Sequence, residues 1–218
     1  MDQELLINTT LFEGMTLPEI QEALGCLSSY QKSFQKGEVI FASGSVVTAM
    51  GLIIEGSVIV ECNDLWGNRT ILTHFEKGNY FAEAYAMYPD CIVPVDIVAN
   101  ADCQILFLKI GHLIHCSNCN DHHVIHRLTA NLLKISLQKN MALSNRSFHT
   151  ASHNMRGKIL AYLNTISLQC QSKTFDIPFD RQQLADYLNI DRTALSKELS
   201  KMKKDGLLDY WKNHFKLY

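Results

Sequence analysis

The chain has 218 residues, 47% of them hydrophobic and 19% charged, enough to build a buried core in one or two domains, and no apolar stretch approaches the roughly 18 to 20 residues that cross a bilayer. Its formal net charge of −2 conceals a division: residues 1–120 carry five Lys and Arg against fourteen Asp and Glu, and residues 121–218 carry fifteen against eight, so only the C-terminal half attracts phosphate. An odd number of scattered cysteines, seven, and a start at Met1, Asp2, Gln3 and Glu4 without a basic leader suit a reducing, cytoplasmic compartment better than a secreted disulfide framework.

The first predicted element is a short helix opening at Thr16, with Glu19 three residues on in the capping-box position. From about Phe34 to Leu108, apolar runs are punctuated by Gly37, Gly44, Gly51, Gly56, Gly67 and Gly78. Between these turns Val39 to Phe41, Leu52 to Ile54, Val58 to Val60, Thr70 to Phe75 and Ile105 to Leu108 are rich in β-branched and aromatic residues, which predicts an antiparallel roll or barrel.

After Asp121 the period changes. Ile125, Leu128, Leu132, Ile135, Lys139 and Ala142 follow the 3-4-3-4-3 spacing of a coiled-coil seam, a candidate homodimer interface, while Leu133, Leu137 and Met141 form a neighbouring face suited to packing on the roll. Asn145 to Asn154 is polar and loses the period, predicting a hinge. A helix over about Met155 to Leu168 follows, then a short strand in which Phe175, Ile177 and Phe179 alternate.

Arg181 to Asp205 has the spacing of a helix-turn-helix. Arg181 to Leu188 makes the first helix, Asn189 to Asp191 the turn and Arg192 to Lys204 the second helix. Ala185 is small where the helices cross, Asn189 tolerates the left-handed conformation, and Asp191 is placed to cap the second helix. Leu184, Leu188, Ile190, Leu195, Leu199 and Met202 are the expected buried faces. Arg192, Thr193, Ser196 and Lys197 then face outward, where base edges in a major groove would be met, and Lys201, Lys203 and Lys204 lie nearer phosphate. Leu208 and Tyr210, then Phe215 and Leu217, alternate around Lys212, Asn213 and His214 as a hairpin wing.

In this order of parts the chain resembles the Crp/Fnr family of bacterial transcription regulators over nearly its whole length. The resemblance implies an α+β protein: an effector-sensing antiparallel β-roll of the cyclic-nucleotide-binding kind over 1–120, a dimerisation helix and hinge over 121–145, and a winged helix-turn-helix over 146–218. It implies a homodimer that binds a palindromic operator in double-stranded DNA, answers to a small-molecule effector and meets RNA polymerase. The DNA-contacting positions carried over are Arg192, Thr193, Ser196 and Lys197, with Arg181 and Lys201 beside them; Glu198 falls where many relatives place an apolar residue.

Family members that bind cyclic nucleotides hold the sugar and phosphate with a Gly-Glu pair and an Arg-Ser pair. Here Glu83 matches, but Ala82 replaces the glycine, and Val93 and Pro94 replace arginine and serine. A cyclic phosphate needs a cationic or densely hydrogen-bonded partner, which valine and proline cannot supply. The pocket expected around Phe81, Glu83, Val93 and Pro94, with Leu132 and Ile135 from the following helix, therefore takes an uncharged or differently anchored effector, or none; a cyclic nucleotide is the alternative. The tight N-terminal cysteine group of iron–sulfur relatives is missing before Cys26. Its nearest substitute is Cys116 and Cys119 in C-x-x-C spacing with His122 and His126 one helical turn apart, within a run that also holds His112, His115 and His123, a candidate metal, haem or thiol-redox site. No cofactor is assigned. A cupin-like metalloenzyme is the distant rival, and it lacks ligands, because His74 is the single histidine within the barrel; no nucleophile-elbow, phosphate-loop or zinc-protease motif appears either. The chain reads as a non-enzyme.

Overall fold

The apolar runs between Tyr30 and Leu108 fold into two four-stranded antiparallel sheets. Their strands are β1 (Tyr30–Phe34), β2 (Val39–Phe41), β3 (Met50–Glu55), β4 (Ser57–Asn63), β5 (Arg69–Glu76), β6 (Tyr80–Phe81), β7 (Asp96–Ala99) and β8 (Cys103–Leu108), ordered β1-β8-β3-β6 and β2-β7-β4-β5. The computed structural model describes residues 3–63, 69–88, 90–114 and 122–218, and it divides into two units, residues 1–136 and 137–218. The central strands β3 and β8 read as unbroken apolar runs because both faces of their sheet are covered. Leu52, Leu106 and Leu108 enter a cluster with the flanking helices, whereas Ile53, Ile105 and Phe107 point into the roll. β1, β6 and β7 carry polar or short segments and escape prediction from periodicity.

Around the roll lie α1 (Gln3–Ile7), α2 (Leu17–Cys26), α3 (Glu83–Met87) and the first part of the long α4 (His122–Thr150), which from Leu137 on belongs to the second unit. The expected cap of α2 forms: Glu19 Oε2 accepts from the Thr16 backbone N–H at 2.6 Å and from its hydroxyl at 2.7 Å, and these bonds hold the Glu19 carboxyl below its usual pKa. Cys26 is disulfide-bonded, which departs from the all-thiol expectation, while Cys62, Cys91, Cys103 and Cys170 are free.

The face of α4 that packs on the first unit is the one the spacing argument assigned to dimerisation. Leu128 is fully buried, Leu132 and Ile135 are nearly so, and all three join Val124 in the cluster around Leu11, Phe12 and Leu52. Polar anchors alternate with them: Arg127 donates to the Gly14 carbonyl, Asn131 Nδ2 to the Leu11 and Glu13 carbonyls at 2.9 and 3.0 Å, and Lys134 Nζ pairs with Glu13 at 2.5 Å. Leu133, Leu137 and Met141, expected to pack on the roll, are instead 58%, 53% and 65% exposed. Periodicity identifies which residues share a face; the face chosen is the one that also brings Arg127 and Asn131 to the carbonyls at the end of the N-terminal segment. The stretch expected to be a hinge is largely helical, since α4 continues through Asn145 to Thr150 and helix resumes at Met155, and the two units divide within α4, after Ser136.

The second unit contains α5 (Met155–Cys170), β9 (Thr174–Asp176), α6 (Arg181–Leu188), α7 (Arg192–Lys204), β10 (Leu208–Trp211) and β11 (His214–Leu217). The strands form one antiparallel sheet in the order β10-β11-β9, with Tyr210 opposite Phe215 and Phe215 opposite Phe175. Lys212 takes a left-handed φ of 52° at the hairpin, so the wing turns on Lys212 and Asn213, and His214 belongs to the strand. Among the described residues no helix is long and apolar enough to cross a membrane.

Candidate nucleic-acid interface

The helix pair is fixed at three backbone positions. Asp180 opens α6 by accepting from the Gln183 N–H at 2.8 Å, while the Gln183 side chain accepts from the Asp180 N–H at 2.9 Å, a capping box. Asn189 closes α6 in the left-handed conformation at φ 54°, and Asp191 opens α7 by accepting from the Ala194 N–H at 2.8 Å. Between these caps Leu184, Ala185, Leu188, Leu195, Leu199 and Met202 are fully buried, and Ile190 packs against them. Each buried leucine contributes about 2 kcal/mol relative to exposure, so the orientation of α7 is strongly set.

That packing leaves Arg192, Thr193 and Lys197 exposed on the first two turns of α7, with Ser196 half-buried and its hydroxyl donating to the Arg192 carbonyl at 3.1 Å. A capped helix start that presents two cations and a threonine outward has the width and chemistry to enter a major groove. Arg181 lies elsewhere. Its guanidinium stacks over the rings of Tyr210 and Phe215 at 5.0 and 5.5 Å and donates to the Lys212 carbonyl at 2.8 Å, and burial draws its pKa below the usual arginine value. It ties α6 to the wing turn. Among the lysines further along α7, Lys203 is paired with Asp209 at 2.5 Å, whereas Lys201 and Lys204 are exposed.

A polar hub escaped the sequence reading. His149, 2% exposed near the end of α4, accepts at Nδ1 from the Tyr187 hydroxyl at 2.9 Å and donates from Nε2 to Thr165 Oγ1 at 2.9 Å; the Thr165 hydroxyl donates onward to the Ala161 carbonyl at 2.9 Å. The direction of that last bond sets the tautomer, because Thr165 has one proton and has used it. Arg146 donates to the Tyr187 and Asp186 carbonyls at 3.1 and 3.2 Å on the same side. A histidine in a polar stretch offers no period that would have revealed this.

Of the residues expected to line an effector pocket, Phe81 belongs to a different core cluster from Leu132 and Ile135. Phe81 belongs to the roll interior with Phe34, Phe41 and Phe107, whose rings meet edge-on at 5.7 to 6.2 Å, and Gly51 exists because its β-carbon would occupy the Phe81 ring. Leu132 and Ile135 belong to the separate cluster beneath α4. Val93 is buried, Pro94 is exposed, and Glu83 sits half-buried in the first turn of α3. Ala82, where relatives have glycine, takes the left-handed conformation at φ 63° that a glycine would adopt freely. Of the candidate metal or redox residues, His122 and His126 lie on the first turns of α4, and Cys116 and Cys119 fall outside the described residues; among the described residues no three His, Cys, Asp or Glu side chains are grouped to hold a metal.

Two sequence profiles match the chain. The cyclic nucleotide-binding domain covers residues 31–116, and the Crp-like helix-turn-helix domain covers residues 157–217. No curated protein sequence matches significantly. Among solved structures, CprK complexed with OCPA is similar at 15% identity over 93% of this chain and 92% of that one, with a TM-score of 0.63. The c-di-GMP responsive global regulator CLP of Xanthomonas campestris is 18% identical over 93% and 99%, with a TM-score of 0.52. A putative cAMP-binding regulatory protein from Silicibacter pomeroyi is 16% identical over 99% and 93%, also with a TM-score of 0.52. At these identities the likeness is one of fold.

Proposed function

Because the chain belongs to the Crp/Fnr family of DNA-binding transcription regulators, with a cyclic nucleotide-binding type of sensor domain ahead of a Crp-like helix-turn-helix domain, we propose that it is a cytoplasmic homodimer that reads a palindromic operator through Arg192, Thr193, Ser196 and Lys197. The observation that carries this reading is α7 itself: one face fully buried, the other presenting Arg192, Thr193 and Lys197 to solvent from a capped start. Lys201 supplies a phosphate contact, and Arg181 acts through the wing turn it holds. RNA polymerase is the further partner such a regulator meets.

Dimerisation uses the exposed face of α4. Leu133, Leu137 and Met141 recur at helical spacing of four, each more than half exposed, and a second copy of the same helix is the partner that buries such a stripe symmetrically. Two recognition helices one DNA turn apart, about 34 Å, then meet successive major grooves. The effector is not a cyclic nucleotide on this reading, since Val93 and Pro94 replace the phosphate-holding pair and aromatic rings fill the interior around Phe81. A second reading, thiol-redox control, is favoured by the disulfide at Cys26; a reductant would then change operator affinity, and Cys26→Ser would remove that response.

The deciding experiment selects duplexes from a randomised library with the purified protein and compares the enriched sequence with unselected duplex in gel-shift titrations. An inverted repeat bound far more tightly than the unselected pool, with steep salt dependence, is expected. Equal binding to both would reject sequence-specific regulation.

A further inference from the structure

Glu198 stands on α7 at a position where the family resemblance implies an apolar residue in many relatives, and its side chain is only 20% exposed, so its charge requires a partner. That partner is Arg156 in the first turn of α5. Its Nε donates to Glu198 Oε1 at 2.6 Å, and its Nη2 lies 2.8 Å from Oδ2 of Asp205, the residue that ends α7. Both contacts hold the Arg156 guanidinium above even the usual arginine pKa.

The start of α5 around Arg156 is capped and closely packed. Asn154 caps α5 by accepting from the Gly157 N–H at 2.6 Å, and Gly157 is pressed so closely against the Ser152 side chain that a β-carbon there would overlap it. One planar group thus grips α7 at two points seven residues apart, about 10 Å along the helix axis. Resting on the proposed DNA-reading role of α7, we infer that Arg156 is a positioning residue for base recognition, setting the roll of α7 about its own axis.

Apolar packing through Leu195, Leu199 and Met202 sets the coarse orientation of the helix, but it is less directional than hydrogen bonding and opposes a small roll less sharply. The bond from Nε to Glu198 is a charge-assisted hydrogen bond and therefore directional, and the ion pair of Nη2 with Asp205, which lacks hydrogen-bond geometry, adds a second, less directional hold. At a radius of about 5 to 6 Å, a roll of about 15° moves a side-chain tip by about 1.5 Å, more than a bidentate contact between Arg192 or Lys197 and a base edge tolerates. Glu198 lies one residue from Lys197, so the clamp acts at the reading positions themselves.

Two variants separate this from simple charge or stability effects. Arg156→Lys keeps the cation and loses the fork; Glu198→Gln removes a negative charge from a helix that approaches phosphate. Each is titrated with the duplex enriched by selection against the wild type and with unselected duplex, at one salt concentration, alongside thermal unfolding. Arg156→Lys is expected to weaken binding of the enriched duplex about three- to tenfold with unselected binding unchanged. Glu198→Gln is expected to bind unselected duplex as well as or better than wild type while its preference for the enriched duplex falls by a similar factor. If both variants keep the wild-type preference, whatever happens to their melting temperatures, the positioning role is overturned and the regulator reading stands. If the wild type enriches no sequence, DNA reading fails first, and the inference with it.

Discussion

The roll and the winged helix inherit their family frames to different degrees. In the second unit every feature that a helix-turn-helix requires is present, from the Asp180 and Asp191 caps and the left-handed Asn189 to the fully buried Leu184, Leu195 and Leu199. In the roll the strand order is intact, yet Glu83 is the one match to the Gly-Glu and Arg-Ser pairs that the resemblance implies, and the interior around Phe81 is packed with aromatic rings. The difference shows how unequal the two requirements are. A fold rests on dozens of distributed apolar contacts, whereas ligand chemistry rests on two or three groups and is erased by replacing them.

The largest effects are expected where the units depend on α4. Leu137→Asp places a charge on the exposed stripe, so the subunit is expected to fold, sediment as a monomer and lose roughly 100-fold or more in operator affinity once the two half-sites are no longer linked. Leu128→Asp, by contrast, buries an unpaired carboxylate in the first unit and is expected to give no soluble roll. Sedimentation of both variants breaks the assignment of faces if Leu137→Asp remains dimeric. Next in size, Arg192→Ala is expected to cost about 1 to 3 kcal/mol on the enriched duplex and little on unselected duplex in parallel gel-shift titrations.

Sequence reasoning reached the frame of both units because periodicity, caps and turn residues are local. The capping box at Thr16, the strands β2, β3, β4, β5 and β8, the left-handed Asn189 and the cap at Asp191 all follow from short-range rules. It did not foresee that Leu128, Leu132 and Ile135 would be buried within the first unit and Leu133 exposed, since choosing between Leu132 and Leu133 as the buried partner requires knowing that the Gly14, Leu11 and Glu13 carbonyls lie opposite Arg127 and Asn131, more than a hundred residues away. The same limit hid the His149 hub and the engagement of Arg181 with the wing, both of which are made by partners distant in sequence. One anomaly was legible in advance, Glu198 in an apolar position, and it identified the Arg156 clamp.

A moderate effect tests the C-terminal unit through pH. Burial lowers the His149 pKa below its ordinary 6.5, and the neutral Nε2–H form has both ring nitrogens satisfied. A proton on Nδ1 would remove the acceptor of the Tyr187 hydroxyl and add a cation on the side where Arg146 already lies over the Tyr187 ring at 5.8 Å; Thr165 offers no charge, and the Tyr162 ring packs edge-on at 5.4 Å. The unfolded chain takes up that proton more readily than the folded one. Stability is therefore full above pH 6.5 and declines as pH falls below it. Melting curves over a pH series should show this slope in the wild type and a flatter one in His149→Gln; equal slopes would remove the hub from the account.

The smallest expected effect bears on whether the roll's frame and its chemistry are separable. Ala82 adopts φ 63° and ψ 14° at the start of α3, a conformation that disfavours any residue with a β-carbon by roughly 1 to 2 kcal/mol. Glycine relieves that strain but loses about 0.5 to 1 kcal/mol through the greater freedom of its unfolded chain. Ala82→Gly is therefore expected to stabilise the roll by up to about 1 kcal/mol, a rise of a few degrees in the melting temperature. It restores the family's backbone residue while leaving Val93 and Pro94 in place of the phosphate partners. Calorimetric titration of the variant with cyclic AMP and cyclic GMP should accordingly give no binding. Heat of binding from either nucleotide would mean that backbone strain at Ala82, and not the missing cationic partner, is what keeps the phosphate out.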